Sequence, residues 1–245
     1  MSAAANPNDA LKNYLLAALP EDDFVRIKFN LEFVYFKLGE VLYESGDKMD
    51  YVYFPTTAFI SMLYIMENGA TAEIGVVGND GLVGTALFMG DDTTTNRMII
   101  QGAGAAFRMK AKDLKAEFAL GGMFQCLLLR YTQALLTQIS QTAVCNRLHS
   151  IEQRFCRWLL ISHDRLNSDK LAMTHEFVST LLGVRRESVT LATKKLKEKK
   201  LIKNGRGTIT VVDRLGLEET VCECYKVVNN EHNRLLGRGI SRTFR

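Results

Sequence analysis

Residues 171–213 read LAMTHEFVSTLLGVRRESVTLATKKLKEKKLIKNGRGTITVVD, and their spacing predicts a short helix, a glycine turn, a second helix and a two-stranded wing. Thr174 is placed as an N-cap, because its hydroxyl can accept an otherwise orphaned amide of the first turn. Val178, Leu181 and Leu182 follow at helical intervals. Gly183 supplies the backbone freedom that a sharp turn between helices requires. The second helix runs from about Arg186 to Lys200, with Val189, Ala192 and Leu196 on its inner face. At about 100° per residue, Glu187, Thr190, Leu191 and Lys194 project opposite that face, and Arg186 sits on its flank in the first turn. An apolar back with a front of Arg, Glu, Thr and Lys suits a helix that lies in a DNA major groove. Asn204-Gly205-Arg206-Gly207, between Leu201-Ile202-Lys203 and Thr208 to Val212, reads as a hairpin tip.

The charge is local. Residues 171–212 hold nine Lys/Arg against three Asp/Glu, a net of +6 in a chain whose whole formal charge is +4, so the remainder carries −2. Lys194 to Lys200 taken alone also fits a solvated helix surface. Joined to the helix-turn-helix-wing pattern, the basic run has the footprint of a phosphate-binding face.

Gly183-Val184-Arg185-Arg186-Glu187-Ser188-Val189, followed by Leu196 and Leu201-Ile202, resembles the helix-turn-helix signature of the Crp/Fnr transcription regulators. The resemblance covers nearly the whole chain and is strongest in this C-terminal third. It implies an α+β fold: an N-terminal antiparallel, jelly-roll-like β-roll, a long dimerisation helix, and a C-terminal winged helix-turn-helix. The corresponding divisions are 1–120 for the sensor β-roll with flanking helices and 121–149 for the dimerisation helix and hinge. Residues 150–220 form the DNA-binding domain, and 221–245 a closing helix and basic tail. The implied partners are double-stranded DNA, a second copy of the chain and RNA polymerase, with a small-molecule effector that the sequence does not name.

The upstream residues fit that outline. A length of 245 residues with 47% apolar side chains is enough for one or two cored domains. Met1 to Pro7 is small and polar, with no signal-peptide run, and no stretch approaches the ~20 apolar residues of a membrane span, so a cytoplasmic protein is expected. Leu11, Leu15, Leu16 and Leu19 form a helical stripe before Pro20, and Phe24, Val25 and Ile27 begin a second short helix. From Leu31 to Lys110, short β-type runs alternate with glycines and polar turns at the spacing of a sandwich or barrel. Phe36-Lys37-Leu38-Gly39-Glu40 and Tyr43-Glu44-Ser45-Gly46-Asp47 match the opening hairpin of the family's β-roll.

In cyclic-nucleotide binders of this family a Gly-Glu pair receives the ribose and an arginine clamps the phosphate, which would otherwise be buried without a counter-charge. Here Val83-Gly84-Thr85-Ala86-Leu87-Phe88 has no such glutamate, and the arginine position falls on Thr94. Arg97 lies three residues on, an odd offset that turns it to the other side of a strand, and Asp91 and Asp92 would repel a phosphate. Cyclic AMP or GMP is therefore not expected to bind. An iron–sulfur centre of the Fnr kind needs clustered cysteines near the N-terminus, and none precedes Cys126. The four histidines, at 149, 163, 175 and 232, all lie outside the β-roll, which argues against haem, although methionine or a terminal amine would also serve as an axial ligand. Cys126, Cys145, Cys156, Cys222 and Cys224 are scattered, and a helix would set the last two about 200° apart, poorly placed for a shared metal or a local disulfide. No cofactor and no metal are expected.

Ala111 to His149 reads as helix broken at Gly121-Gly122. Beyond Phe124, Leu128, Tyr131 or Thr132, Leu135, Ile139 and Thr142 recur about every 3.5 residues. This stripe packs either on its own β-roll or on its twin across a dimer axis. The second is favoured, because a symmetric reader needs two half-sites one DNA turn apart. Ser150 with Gln153 forms a box-like cap after the hinge Leu148-His149-Ser150, where a histidine could report pH but a bland hinge residue is the simpler reading. Phe155, Trp158, Leu159 and Ile161 should pack beneath the helix-turn-helix, and 217–236 should pack back on the same module. The basic tail Gly237 to Arg245 reads as disordered or as a weak phosphate contact.

The resemblance assigns roles. Arg186 should bond a guanine edge bidentately, and Glu187 should accept from a cytosine amino group. Ser188 and Thr174 should hold phosphates through their hydroxyls, with Arg185, Lys194 and Arg206 as further phosphate contacts. Thr190 and Leu191 complete the reading face. Leu191 stands where many members carry a second base-reading arginine; it can touch only a thymine methyl, so the operator should differ from the best-known family site. The rival class is an interaction module whose winged helix meets a protein. An enzyme is not indicated, since no nucleophile–base pair, metal-ligand cluster or phosphate loop is found, and Gly75-Val76-Val77-Gly78 and Gly81-Leu82-Val83-Gly84 lack the helix a dinucleotide site needs.

Overall fold

The computed structural model describes residues 6–166 and 168–237. A 3-10 turn (Pro7–Lys12) and two short helices, α1 (Tyr14–Ala17) and α2 (Glu21–Ile27), lead into seven strands. These are β1 (Glu32–Phe36), β2 (Val41–Tyr43), β3 (Tyr51–Pro55), β4 (Phe59–Ile65), β5 (Thr71–Val77), β6 (Arg97–Gly102) and β7 (Gly104–Lys110), with a short α3 (Ala86–Met89) between β5 and β6. Every pair is antiparallel, in one sheet of order β1-β7-β3 and another of order β2-β6-β4-β5. The two sheets enclose a core to which Phe36, Phe54, Phe107, Ile60, Val77 and Ile100 contribute, closed by Leu15, Leu16 and Ile27 from the N-terminal helices.

Strand β4 is buried on both faces from Phe59 to Leu63. Ile60 and Met62 fill the β-roll, whereas Phe59 and Leu63 belong to a second core shared with the C-terminal module. Alternation along a strand places neighbours on opposite faces, so a continuous apolar run marks a strand covered on both sides.

Helix α4 (Ala111–Ala119) gives way to α5 (Gly122–Leu148) at Gly121-Gly122, whose φ values of 78° and 75° no ordinary side chain adopts cheaply. Along α5, Leu128, Tyr131 and Leu135 are buried in the chain's own β-roll, and Ile139 packs beside them. The Tyr131 hydroxyl donates to the Leu82 carbonyl at 3.0 Å, and the Thr142 hydroxyl receives Arg157. Of the stripe expected to meet a second copy, Leu128, Tyr131 and Leu135 are thus covered by the chain's own β-roll with Ile139 beside them, while Thr142 turns to α6. The outward side of α5 carries Leu129, Leu136 and Val144 instead, 51%, 50% and 44% exposed.

After the hinge come α6 (Ile151–Leu166), β8 (Lys170–Ala172), α7 (His175–Leu182), α8 (Arg186–Glu198), β9 (Ile202–Gly205), β10 (Thr208–Val211), α9 (Arg214–Thr220) and α10 (Cys224–Leu236). Ser150 caps α6 reciprocally with Gln153: the Gln153 amide donates to the Ser150 hydroxyl and the Ser150 amide to the Gln153 side chain. The wing is a three-stranded sheet of order β8-β10-β9, one strand more than the sequence suggests, with Ile209 opposite Leu171 and Asn204. Of residues 217–236, expected to pack on the C-terminal module, Leu217 and Tyr225 do enter its core, whereas the rest of α10 packs mainly along α5 and reaches the β-roll through His232 and Leu236. Among the described residues no helix is long and apolar enough to cross a membrane. The tail beyond Gly237 lies outside the described residues.

Two buried polar clusters join the halves. The Glu73 carboxylate on β5 accepts from Ser61, Gln101 and the Trp158 indole of α6. Burial pushes it from 4.5 to about 7, against these donors and the nearby Arg157. Asp80 holds Arg165 of α6 at 2.6 Å and 3.0 Å, both side chains being 4% exposed, and His232 of α10 lies 3.5 Å away. Burial raises the Asp80 pKa, but Arg165 and then His232 outweigh it and hold the carboxylate below its ordinary value.

Candidate nucleic-acid interface

Thr174 caps α7, its hydroxyl oxygen accepting from the Phe177 amide at 3.1 Å. An acceptor hydroxyl keeps its own proton, which can still be donated to a phosphate. Helix α7 ends at Gly183 in the left-handed region, φ 61° and ψ 40°, with its amide bonded to Ser179 and Thr180. Arg154 of α6 donates to the Leu182 carbonyl and fixes the turn from behind. Val189, Ala192 and Leu196 of α8 are buried, as is Thr193, whose hydroxyl turns back to the Val189 carbonyl. Phe155, Leu159, Val178 and Leu181 pack in the same core.

With its back fixed, α8 presents the opposite side to solvent. Arg186 and Lys194 side chains are 66% and 72% exposed, and Leu191 is 62% exposed. Arg185, Glu187 and Thr190 are exposed beside them, Ser188 is half-buried at the first turn, and Arg206 is exposed at the wing tip. The structure therefore brings Arg185, Arg186, Glu187, Ser188, Thr190, Leu191 and Lys194 together on one helix, with Thr174 at the start of the preceding one and Arg206 on the adjoining wing.

The lysines divide. Lys199 is bonded to Glu152 of α6 at 2.7 Å and Lys195 lies 3.7 Å from it, so both serve the join between helices. Lys194 is only loosely held, 3.9 Å from Glu198. Arg185, Lys197, Lys203 and Arg206 have no ion pair among the described residues. Two neighbours escaped the sequence reading: Glu176 stands 3.7 Å from Arg186, and His175 meets the Thr190 hydroxyl at 3.2 Å. Both depend on how α7 lies against α8, which no residue pattern along one helix encodes.

The β-roll contains a cavity of about 250 Å³ between β6, α3 and α5, lined in part by Val83, Gly84, Thr85, Thr94, Asn96 and Leu135. Among the described residues its only charged lining residue is Asp91, whose carboxyl is held below its ordinary range chiefly by the Thr93 hydroxyl. Thr94 is buried at the position where a phosphate-binding arginine would be sought. Arg97 is turned away and paired to Glu44 at 2.8 Å.

Cys222 and Cys224 do not point apart. Cys222 lies before the start of α10, so the angular argument for one helix does not apply, and both sulfurs gather with Cys145 and His149.

Comparison with known proteins agrees with this architecture. Residues 33–119 match the cyclic nucleotide-binding domain family, and residues 153–220 match the Crp-like helix-turn-helix domain family. No curated protein matches the chain closely in sequence. Among solved structures, FixK2 from Bradyrhizobium japonicum superposes with a TM-score of 0.67 at 15% identity, over 78% of this chain and 98% of that one. A putative Crp/Fnr-family regulator from Eubacterium rectale gives 0.66 at 17% identity, over 85% and 98%. The c-di-GMP responsive regulator CLP from Xanthomonas campestris gives 0.64 at 15% identity, over 78% and 99%. A β-roll of the cyclic nucleotide-binding domain family, a long helix and a Crp-like helix-turn-helix therefore follow one another in this chain, which belongs to the Crp/Fnr family of transcription regulators.

Proposed function

We propose that the chain binds double-stranded DNA sequence-specifically as a homodimer, with α8 in the major groove of each half of a palindrome. The observation that carries this reading is the division of α8 into a buried apolar back and an exposed front of Arg186, Glu187, Thr190, Leu191 and Lys194. Arg186 has a donor fork matched to guanine, Glu187 accepts from cytosine, and Leu191 has only a methyl contact to offer. Thr174, Ser188, Arg185, Lys194 and Arg206 surround them as phosphate contacts.

The second copy is assigned to the outward side of α5. Leu129, Leu136 and Val144 lie close to heptad spacing on a helix whose other face is occupied by the β-roll, and pairing there buries them symmetrically. The β-roll cavity is read as independent of cyclic nucleotides, since a phosphate entering it would meet Asp91 and no cation.

Fluorescence anisotropy with random-sequence duplex DNA at two salt concentrations tests the reading. Salt-dependent binding, with a steep negative slope of log affinity against log salt, is expected. Absence of binding at low salt would favour a protein partner for α8 instead.

A further inference from the structure

Cys145 lies in the last turn of α5, His149 caps that helix, and Cys222 and Cys224 flank the start of α10. Their four donor atoms all fall within 4.8 Å of one another, and Cys145, Cys222 and Cys224 are buried. We propose that these residues bind one zinc ion, which staples the end of the long helix to the segment that follows the winged module.

The distances suit the ion. With Zn–S near 2.3 Å and Zn–N near 2.0 Å, a tetrahedron sets sulfurs about 3.8 Å apart and sulfur about 3.5 Å from nitrogen. Cys145 Sγ and Cys222 Sγ are 3.6 Å apart, and Cys224 Sγ is 3.4 Å from His149 Nδ1. Donors this close enclose a single ion; an iron–sulfur core would hold its thiolates farther apart. Three thiolates and one imidazole are the donor set of a closed structural site, with no position left for water or substrate.

The surroundings match as well. His149 turns Nδ1 inward and places Nε2 3.3 Å from Glu223, the carboxylate partner that orients a ligating imidazole. Gln141 donates to Cys224 Sγ at 3.1 Å. Arg154 and Arg157 act electrostatically on Cys145, offsetting the net negative charge of three thiolates around a divalent ion.

The consequence is topological. Cys145 and His149 stand just before the hinge at Ser150, and Cys222 and Cys224 just after α9, so the whole DNA-binding module is a loop held at both ends by one ion. Closing such a loop limits how far the module can swing from α5.

The full chain, without an affinity tag and kept reduced, should carry about one zinc per chain by elemental mass spectrometry. Cys145→Ser and Cys222→Ser should abolish it, while Cys156→Ser, in the separate core of the module, should leave it intact. Glu223 is exposed, so Glu223→Ala should fold normally and weaken zinc affinity by about tenfold or more in competition with a chromophoric chelator. Cobalt substituted into the wild type should show the intense visible bands of tetrahedral geometry and thiolate-to-metal charge transfer. A zinc-free wild type that refuses added zinc, a cobalt spectrum without thiolate charge transfer, or a Cys145–Cys222 disulfide in the reduced preparation would each overturn the assignment. These readouts need no DNA and stand or fall apart from the DNA-binding reading.

Discussion

Replacing Glu73 by glutamine should change how the protein's stability depends on pH, in a direction and size that its surroundings fix. The carboxylate is buried between β5 and α6, and burial raises its pKa to about 7 against an ordinary 4.5. Below pH 4.5 it is protonated in folded and unfolded chains alike. Between 4.5 and about 7 the unfolded chain gives up its proton first, so wild-type stability falls as pH rises. The loss is complete above 7, and at about 1.4 kcal/mol per pH unit it amounts to roughly 3 kcal/mol. Glutamine escapes this loss. Its carbonyl still accepts from Trp158, and its amide can donate to Ser61, a hydroxyl able to reverse its role, or to Gln101, whose buried Oε1 lacks a partner. Trp158 is the only tryptophan and donates to Glu73 directly, so its fluorescence reports this join. Urea unfolding followed by Trp158 emission from pH 4 to 8 should give curves that run together below pH 4.5 and diverge between 4.5 and about 7, leaving the glutamine variant more stable by up to roughly 3 kcal/mol at pH 8. Curves that run parallel across the whole range would refute the reasoning.

Other perturbations act at separate points. Asp80→Asn leaves Arg165 buried without its counter-charge and should cost about 3–5 kcal/mol by chemical denaturation. Leu136→Asp puts a charge on the outward side of α5 and should weaken dimerisation on the order of a hundredfold by sedimentation velocity, with the secondary structure unchanged by circular dichroism. Lys194→Ala should weaken binding to all duplex sequences alike and reduce the salt slope by about 1 per subunit in anisotropy titrations.

The strand positions of the β-roll, the break at Gly121-Gly122, the capped start of α6 and the inner face of α8 were readable in the sequence, because period, capping chemistry and glycine geometry are local. What a face packs against is not local. The stripe from Leu128 to Ile139 is visibly apolar, yet nothing in it distinguishes a partner subunit from the chain's own β-roll. The third wing strand, Lys170–Ala172, is too short for a periodic signal and exists only because β10 pairs with it. The buried charges of α6, Arg157, His163 and Arg165, look like solvent residues until Thr142, Asp169 and Asp80 are brought to them from elsewhere in the chain. Cys145 and His149 stand four apart at one helix end, a spacing that could have been flagged, but their companions lie more than seventy residues away and arrive only through the packing of α10 on α5.

The most direct measurement is selection of bound duplexes from a random DNA pool by the wild type and by Arg186→Ala, with base preferences read by sequencing. The wild type should enrich two inverted half-sites about one helical turn apart, about 10 base pairs centre to centre. Arg186→Ala should lose about 1–3 kcal/mol of guanine preference at one position in each half while keeping the phosphate-driven affinity. A wild type that enriches no inverted repeat, or a variant that keeps the same base preference, would contradict the account.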